Sequence, residues 1–114
     1  MKTPKRALLI DPFDNVTEIT VASLEDMQAA VGGYIEGVQL KDGFMYCNEE
    51  GKLNGLPANR IATQLDQTLP YDIIVGSVIV FGNGDANGND THVTKACIAR
   101  TKTIAARYGI TLSV

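Results

Sequence analysis

A chain of 114 residues is the length of one domain, and 45% apolar with 20% charged residues is the balance of an ordinary globule, not of a disordered or fibrous chain. No stretch approaches the ~18 consecutive apolar residues of a membrane span, and the apolar part of "MKTPKRALLI" is too short for a secretory signal, so the cytosol is the expected compartment. The net charge of −3 is unevenly spread: residues 91 onward hold four cations and no acid, residues 1–90 six cations against thirteen acids, an asymmetry that bears on partners and not on fold.

A basic tail over residues 1–6 leads into the apolar run "ALLI", which "DPFDN" stops with a proline and Asx residues suited to a turn. "VTEITV" follows with Thr17, Ile19 and Val21 on one side of a period-two pattern, which predicts two strands joined by that turn. "ASLEDMQAAVGG" has helix punctuation: Ser23 as N-cap, Asp26 as a capping-box variant, Gly32 as the C′ residue, and an apolar stripe of Leu24, Met27 and Val31. "YIEGVQL" and "FMYCN" flank "KDG", a hairpin signal that puts Tyr34, Glu36, Val38 and Leu40 on one face of the first strand. Pro57 has the look of a first-turn proline of a helix running to about Leu65.

"DIIVGSVIVF" is apolar on both faces, the pattern of a strand covered on both sides and therefore central. "THVTKACIARTKTIAARYG" predicts a last helix ending at Gly109, with Val93, Cys97, Ile104 and Tyr108 on one stripe. Cys47 and Cys97 lack CxxC spacing and are expected to be thiols that act as small buried hydrophobes. The sum is a single α+β domain over 1–114, with a mixed or mainly antiparallel sheet and two to three helices packed on it.

Three stretches in order, "LEDMQAAVGGYIEGVQL", "NEEGKLNGLPANRIATQL" and "DIIVGSVIVFG", resemble a small bacterial and phage family catalogued as domain of unknown function 3846. The resemblance runs from about Ser23 to Gly82, and "VGGYIE", "NEEGKLNGLPAN" and "IVGSVIVFG" are its most specific parts. It implies a small mixed domain carried by phages, plasmids and other mobile elements. It implies no established activity and no catalytic residues.

The glycine- and asparagine-rich stretch "FGNGDANGNDT" holds the sharpest candidate site. Asn83, Asp85, Asn87 and Gly88 fit positions one, three, five and six of a calcium loop, but Thr94 stands where a bidentate glutamate would close the shell. Gly82-x-Gly84 after a strand suggests a phosphate cradle, yet Gly88 lies one residue too far along, no acid follows Asp90, and Asp85 and Asp90 would repel a phosphate. Two Asn-Gly pairs explain the stretch as a chain reversal, with Asp90 capping the last helix.

His92 is the sole imidazole, and a Cys47–His92 pair would need spatial adjacency that nothing local marks. No residue is therefore assigned to catalysis, to a metal or to a cofactor. The last helix is the interaction candidate, because Lys95 with Lys102 and Arg100 with Arg107 lie on either flank of its apolar stripe. The expectation is a non-enzymatic accessory protein that binds a protein partner or a small anionic ligand through Lys95, Arg100, Lys102, Arg107, Asn83, Asp85, Asn87 and His92. Nucleic acid on the basic helix is the alternative, a weak metal or enzymatic site at the loop a minor one, and self-association fits the lopsided charge equally well.

Overall fold

The computed structural model describes residues 3–66 and 72–114. β1 (Lys5–Ile10) and β2 (Val16–Val21) pair antiparallel, with Leu9 opposite Thr17 and Ala7 opposite Ile19. The turn between them forms because Asp11 Oδ1 accepts from the amides of Phe13 and Asn15, while Asp14 adopts the left-handed conformation at φ 70°. Lys5 and Arg6 are strand residues, so the basic tail is shorter than residues 1–6.

α1 (Leu24–Val31) has the expected caps: Ser23 Oγ accepts from the Asp26 amide, and Gly32 at φ 81° donates to Gln28. Asp26 reaches back to the Ala22 amide, one residue earlier than a capping box requires. Met27 and Val31 are buried while Leu24 stays exposed, so the apolar stripe is narrower than the spacing predicts.

β3 (Ile35–Gln39) and β4 (Phe44–Asn48) form the hairpin, closed by the Leu40 amide on Gly43 O. α2 (Arg60–Leu65) starts later than Pro57. Ala58 bridges Val75, the Gly76 amide donates to Pro57 O and the Asn59 amide to Ile74 O, which holds Pro57 and Ala58 extended. Asn59 then caps the helix through Oδ1 and spends its Nδ2 on Ile10 O and Gly76 O, so a fully buried amide is satisfied on both sides.

The long apolar run divides at Gly76, φ 75°: its first half pairs with 58–59, and only β5 (Val78–Phe81) enters the sheet. The order is β2-β1-β5-β4-β3 with every neighbouring pair antiparallel, so β5 is central as its two-sided apolarity predicts. Its four side chains are 0% exposed, each contributing about 1.5–3 kcal/mol of burial. Ile79 and Phe81 face Met27 and Val31 of α1, whereas Val78 and Val80 face Ile61, Leu65, Cys97 and Ile104.

α3 (Lys95–Ala106) supplies Cys97 and Ile104. Its N-cap is Thr94, whose Oγ1 accepts from the Cys97 amide, and not Asp90. It ends in a tightened turn, with Gly109 at φ 74° and the Ile110 amide on Ala105 O.

Candidate functional site

The loop after β5 is built by its own residues. The Gly82 amide donates to Thr91 O, and a Cβ on Gly82 would stand 2.4 Å from His92 O, so only glycine lets the returning chain pass this close. Asp85 Oδ1 accepts from the amides of Asn87 and Asn89, and these backbone donors, Asn89 foremost, hold its carboxyl below the usual carboxylate range. Of the two Asn-Gly pairs only Gly88 takes a positive φ, 77°. Asn83 is engaged at both ends: its side-chain oxygen accepts from Gln39 and its carbonyl from Thr91 Oγ1. Asp90 accepts from the Tyr46 hydroxyl at 2.8 Å and so anchors the loop to the α1 face of the sheet. That bond and burial, burial first, push the Tyr46 phenol above its ordinary value.

The loop thus becomes one wall of a groove of about 600 Å³ that Leu24 and Met27 of α1 line opposite, together with Lys5. Its two carboxylates already have partners, and among the described residues no group of three His, Cys, Asp or Glu side chains could hold a metal.

The eight residues singled out from the sequence do not converge. Asn83, Asp85 and Asn87 share the loop, while the exposed Arg107 lies about 18 Å along α3 from Lys95, at 1.5 Å per residue. His92 Nδ1 accepts from the Arg6 amide at 3.0 Å, which leaves its proton on Nε2. Arg100 is not a free cation: its guanidinium grips Asp42 with two hydrogen bonds of 2.9 and 2.8 Å and adds a third to Leu65 O. The hydrogen bond from Arg100, more than the attraction between charges, lowers the Asp42 carboxyl below its ordinary value. The sequence treats this arginine as solvated because its ion-pair partner lies 58 residues away.

Cys47 and His92 stand toward opposite ends of β5: Cys47 follows Tyr46, which pairs with Ile79, and the His92 partner Arg6 precedes Leu8, which pairs with Val80. Burial, first of all, pushes both the Cys47 and the Cys97 thiol up to about 11. Both cysteines are free and buried.

A second cleft lies outside the residues that the sequence singles out. About 220 Å³ in volume, it lies between the turn after β4 and the extended segment before β5, and Glu36, Cys47, Glu49, Asp72, Leu53 and Ile73 are among its lining. Leu53 is 88% exposed and Ile73 53%, two large apolar side chains held out to solvent on its lips. Local contacts hold the turn beneath them: Asn48 donates to Val31 O and accepts from the Glu50 amide, and Gly51 sits so near Val75 that a Cβ would come within 2.9 Å of its side chain. Lys52 pairs with Asp72 across the opening. Tyr34, 69% exposed, lines a neighbouring depression that shares Asn48. The one signal in the sequence was a leucine in the glycine-flanked polar turn "GKLNG".

Among the described residues, a five-stranded antiparallel sheet with three helices and an apolar-lipped cleft defines a small α+β domain whose distinctive surface is made by turns. The chain belongs to the family described as domain of unknown function (DUF3846), whose model matches residues 4–106. The match is wider than the Ser23–Gly82 stretch that carries the resemblance and takes in β1 and α3. No curated protein and no solved structure matches the chain. Among the described residues, no helix is long and apolar enough to cross a membrane.

Proposed function

We propose that this chain is a non-enzymatic accessory protein of a bacterium, phage or mobile element, acting in the cytosol by binding a protein partner at the cleft between the 49–56 turn and residues 72–75. The observation that carries the reading is the pair Leu53 and Ile73, exposed at 88% and 53% on the lips of one cleft. Solvent-exposed large apolar residues around a concavity are what partner-binding patches present. With Asp72 already paired to Lys52, Glu36 and Glu49 leave the cleft a net negative charge that disfavours the small anionic ligand, so a protein is the occupant retained. Cys47, the thiol at this cleft, is buried and pushed up to about 11, which disfavours a thiolate nucleophile there.

The test is affinity capture from host lysate with the wild type, with the double variant Leu53→Ser/Ile73→Ser, and with Phe13→Ser as a control on an exposed residue of the β1–β2 turn. The reading expects a partner lost only with the double variant. A partner retained by it, or metabolite turnover abolished by Cys47→Ala, overturns it.

The nucleic-acid alternative rests on Lys95 and Lys102, exposed on α3, and on the exposed Arg107 at its C-cap, and it has lost Arg100 to Asp42. It requires a binding isotherm that weakens with salt and with Lys95→Ala/Lys102→Ala.

A further inference from the structure

We infer that the outer edge of β3 accepts an extended peptide as a sixth, antiparallel strand, and that this peptide places a cationic side chain beside Glu36 and apolar ones beside Gly37 and Val38. The inference rests on the partner-binding reading and gives that partner its chemistry.

The hydrogen-bond parity of the hairpin decides which backbone groups are free. The Glu49 amide donates to Tyr34 O and the Leu40 amide to Gly43 O, one bond at each end of the β3–β4 ladder. Antiparallel alternation then turns the groups of Tyr34, Glu36, Val38 and Leu40 toward β4 and those of Ile35, Gly37 and Gln39 away from it. Among the described residues β3 is the last strand of the sheet, so these three residues offer their N–H and C=O groups outward.

Nothing on those residues blunts the edge. None is charged, Gly37 at the centre has no side chain, and Gln39 folds its amide back onto Leu40 O, Gly43 O and Asn83 Oδ1. The opposite edge differs. The Asp11 amide on Asn15 O sets the parity of β2 so that Val16, Glu18 and Thr20 point outward, with a carboxylate in the middle. On β3 the mid-strand carboxylate, Glu36, belongs to a residue whose backbone faces β4, so it flanks the outward groups and turns away an anionic guest in favour of a cationic one.

The flanking side chains specify the guest. A guest residue opposite Glu36 forms a non-hydrogen-bonded pair, in which side chains approach most closely. Glu36 lines the 220 Å³ cleft with Glu49 and with Lys52, which is paired to Asp72; among the described residues no cation forms an ion pair with either glutamate. On the other face the Phe44 ring lies over Gly37, where a Cβ would meet it at 2.6 Å, and it is only half-buried. That ring gives the guest side chain opposite Gly37 an apolar surface, and the half-buried Val38 does the same for its neighbour.

The probe is a capped peptide, Thr-Thr-Val-Val-Lys-Thr-Thr, compared with its glutamate counterpart and with a version N-methylated on alternate amides. Amide exchange and chemical-shift mapping on the intact chain should show the lysine peptide protecting Ile35, Gly37 and Gln39. The glutamate peptide should bind roughly fivefold more weakly, with the order reversed in Glu36→Lys, and N-methylation should abolish protection. Absence of protection at those amides, or a lysine preference indifferent to Glu36→Lys, overturns the inference. If capture still depends on Leu53 and Ile73 while these amides stay unprotected, the partner docks as a folded surface and only the strand-addition inference fails. If capture is indifferent to Leu53 and Ile73, the broader reading fails whatever the peptide does.

Discussion

Replacing Arg100 with alanine separates two accounts of the C-terminal helix. As a binding residue Arg100 would be lost without harm to the fold; as the structure places it, it clamps the β3–β4 turn to α3 and to the end of α2 through Asp42 and Leu65 O. The pair is 17% and 20% exposed, so it is screened more than a buried bridge and less than a surface one. Charge-assisted hydrogen bonds are worth about 1.5–3 kcal/mol, and the truncation leaves Asp42 half-shielded and unpaired, so a loss of about 2 kcal/mol is expected. An unfolding entropy of ~2.1 cal/mol/K per residue turns that into a fall of about 8 °C in Tm for a chain of 114 residues.

The sign with pH follows from the direction of the shift. The folded pKa of Asp42 lies below its ordinary value of 3.8, so the stabilisation is complete above that value and fades as pH falls through the folded pKa. Thermal unfolding by circular dichroism should therefore show a gap between wild type and Arg100→Ala that is full at pH 7 and closes in strong acid. A Tm within about 1 °C of wild type at pH 7 would refute the structural role.

Three further outcomes are expected. Asn59→Ala removes a helix cap and leaves Ile10 O and Gly76 O without their donor, and should cost about 3 kcal/mol in a urea titration with an unchanged m-value. Gly82→Ala drives a Cβ against the His92 carbonyl and should lower Tm by more than the surface change Ala86→Ser, with the exchange of the amides of residue 82 and Val93, which donate to Thr91 O and Arg6 O, accelerated first. With both thiols near 11, iodoacetamide at pH 8 should label Cys47 and Cys97 far more slowly than in urea-unfolded chain, and equal rates would contradict the burial.

Local signals carried much of the fold into the sequence. Ser23 and Gly32 bound α1, "KDG" closes the β3–β4 hairpin, and the two-sided apolarity of "VIVF" puts it at the centre of the sheet, because caps, turns and burial patterns depend on residues within a few positions of one another. Boundaries set by distant contacts were not legible. Pro57 reads as a helix start only until Ala58 and Asn59 are seen to pair with Val75 and Ile74, and Asp90 reads as a cap until the Tyr46 hydroxyl claims it. The candidate surface belongs almost wholly to the second category. A leucine in a polar turn and an isoleucine ahead of a strand mean nothing until folding sets them on the lips of one cleft, and Arg100 is a free cation until Asp42 is brought beside it. Local patterning is enough for the order of strands and helices and for one thiol-bearing α+β core, though not for every element's bounds. Which charges are paired, which apolar side chains remain outside and which edge of the described sheet stays open depend on residues tens of positions apart, and so on tertiary packing.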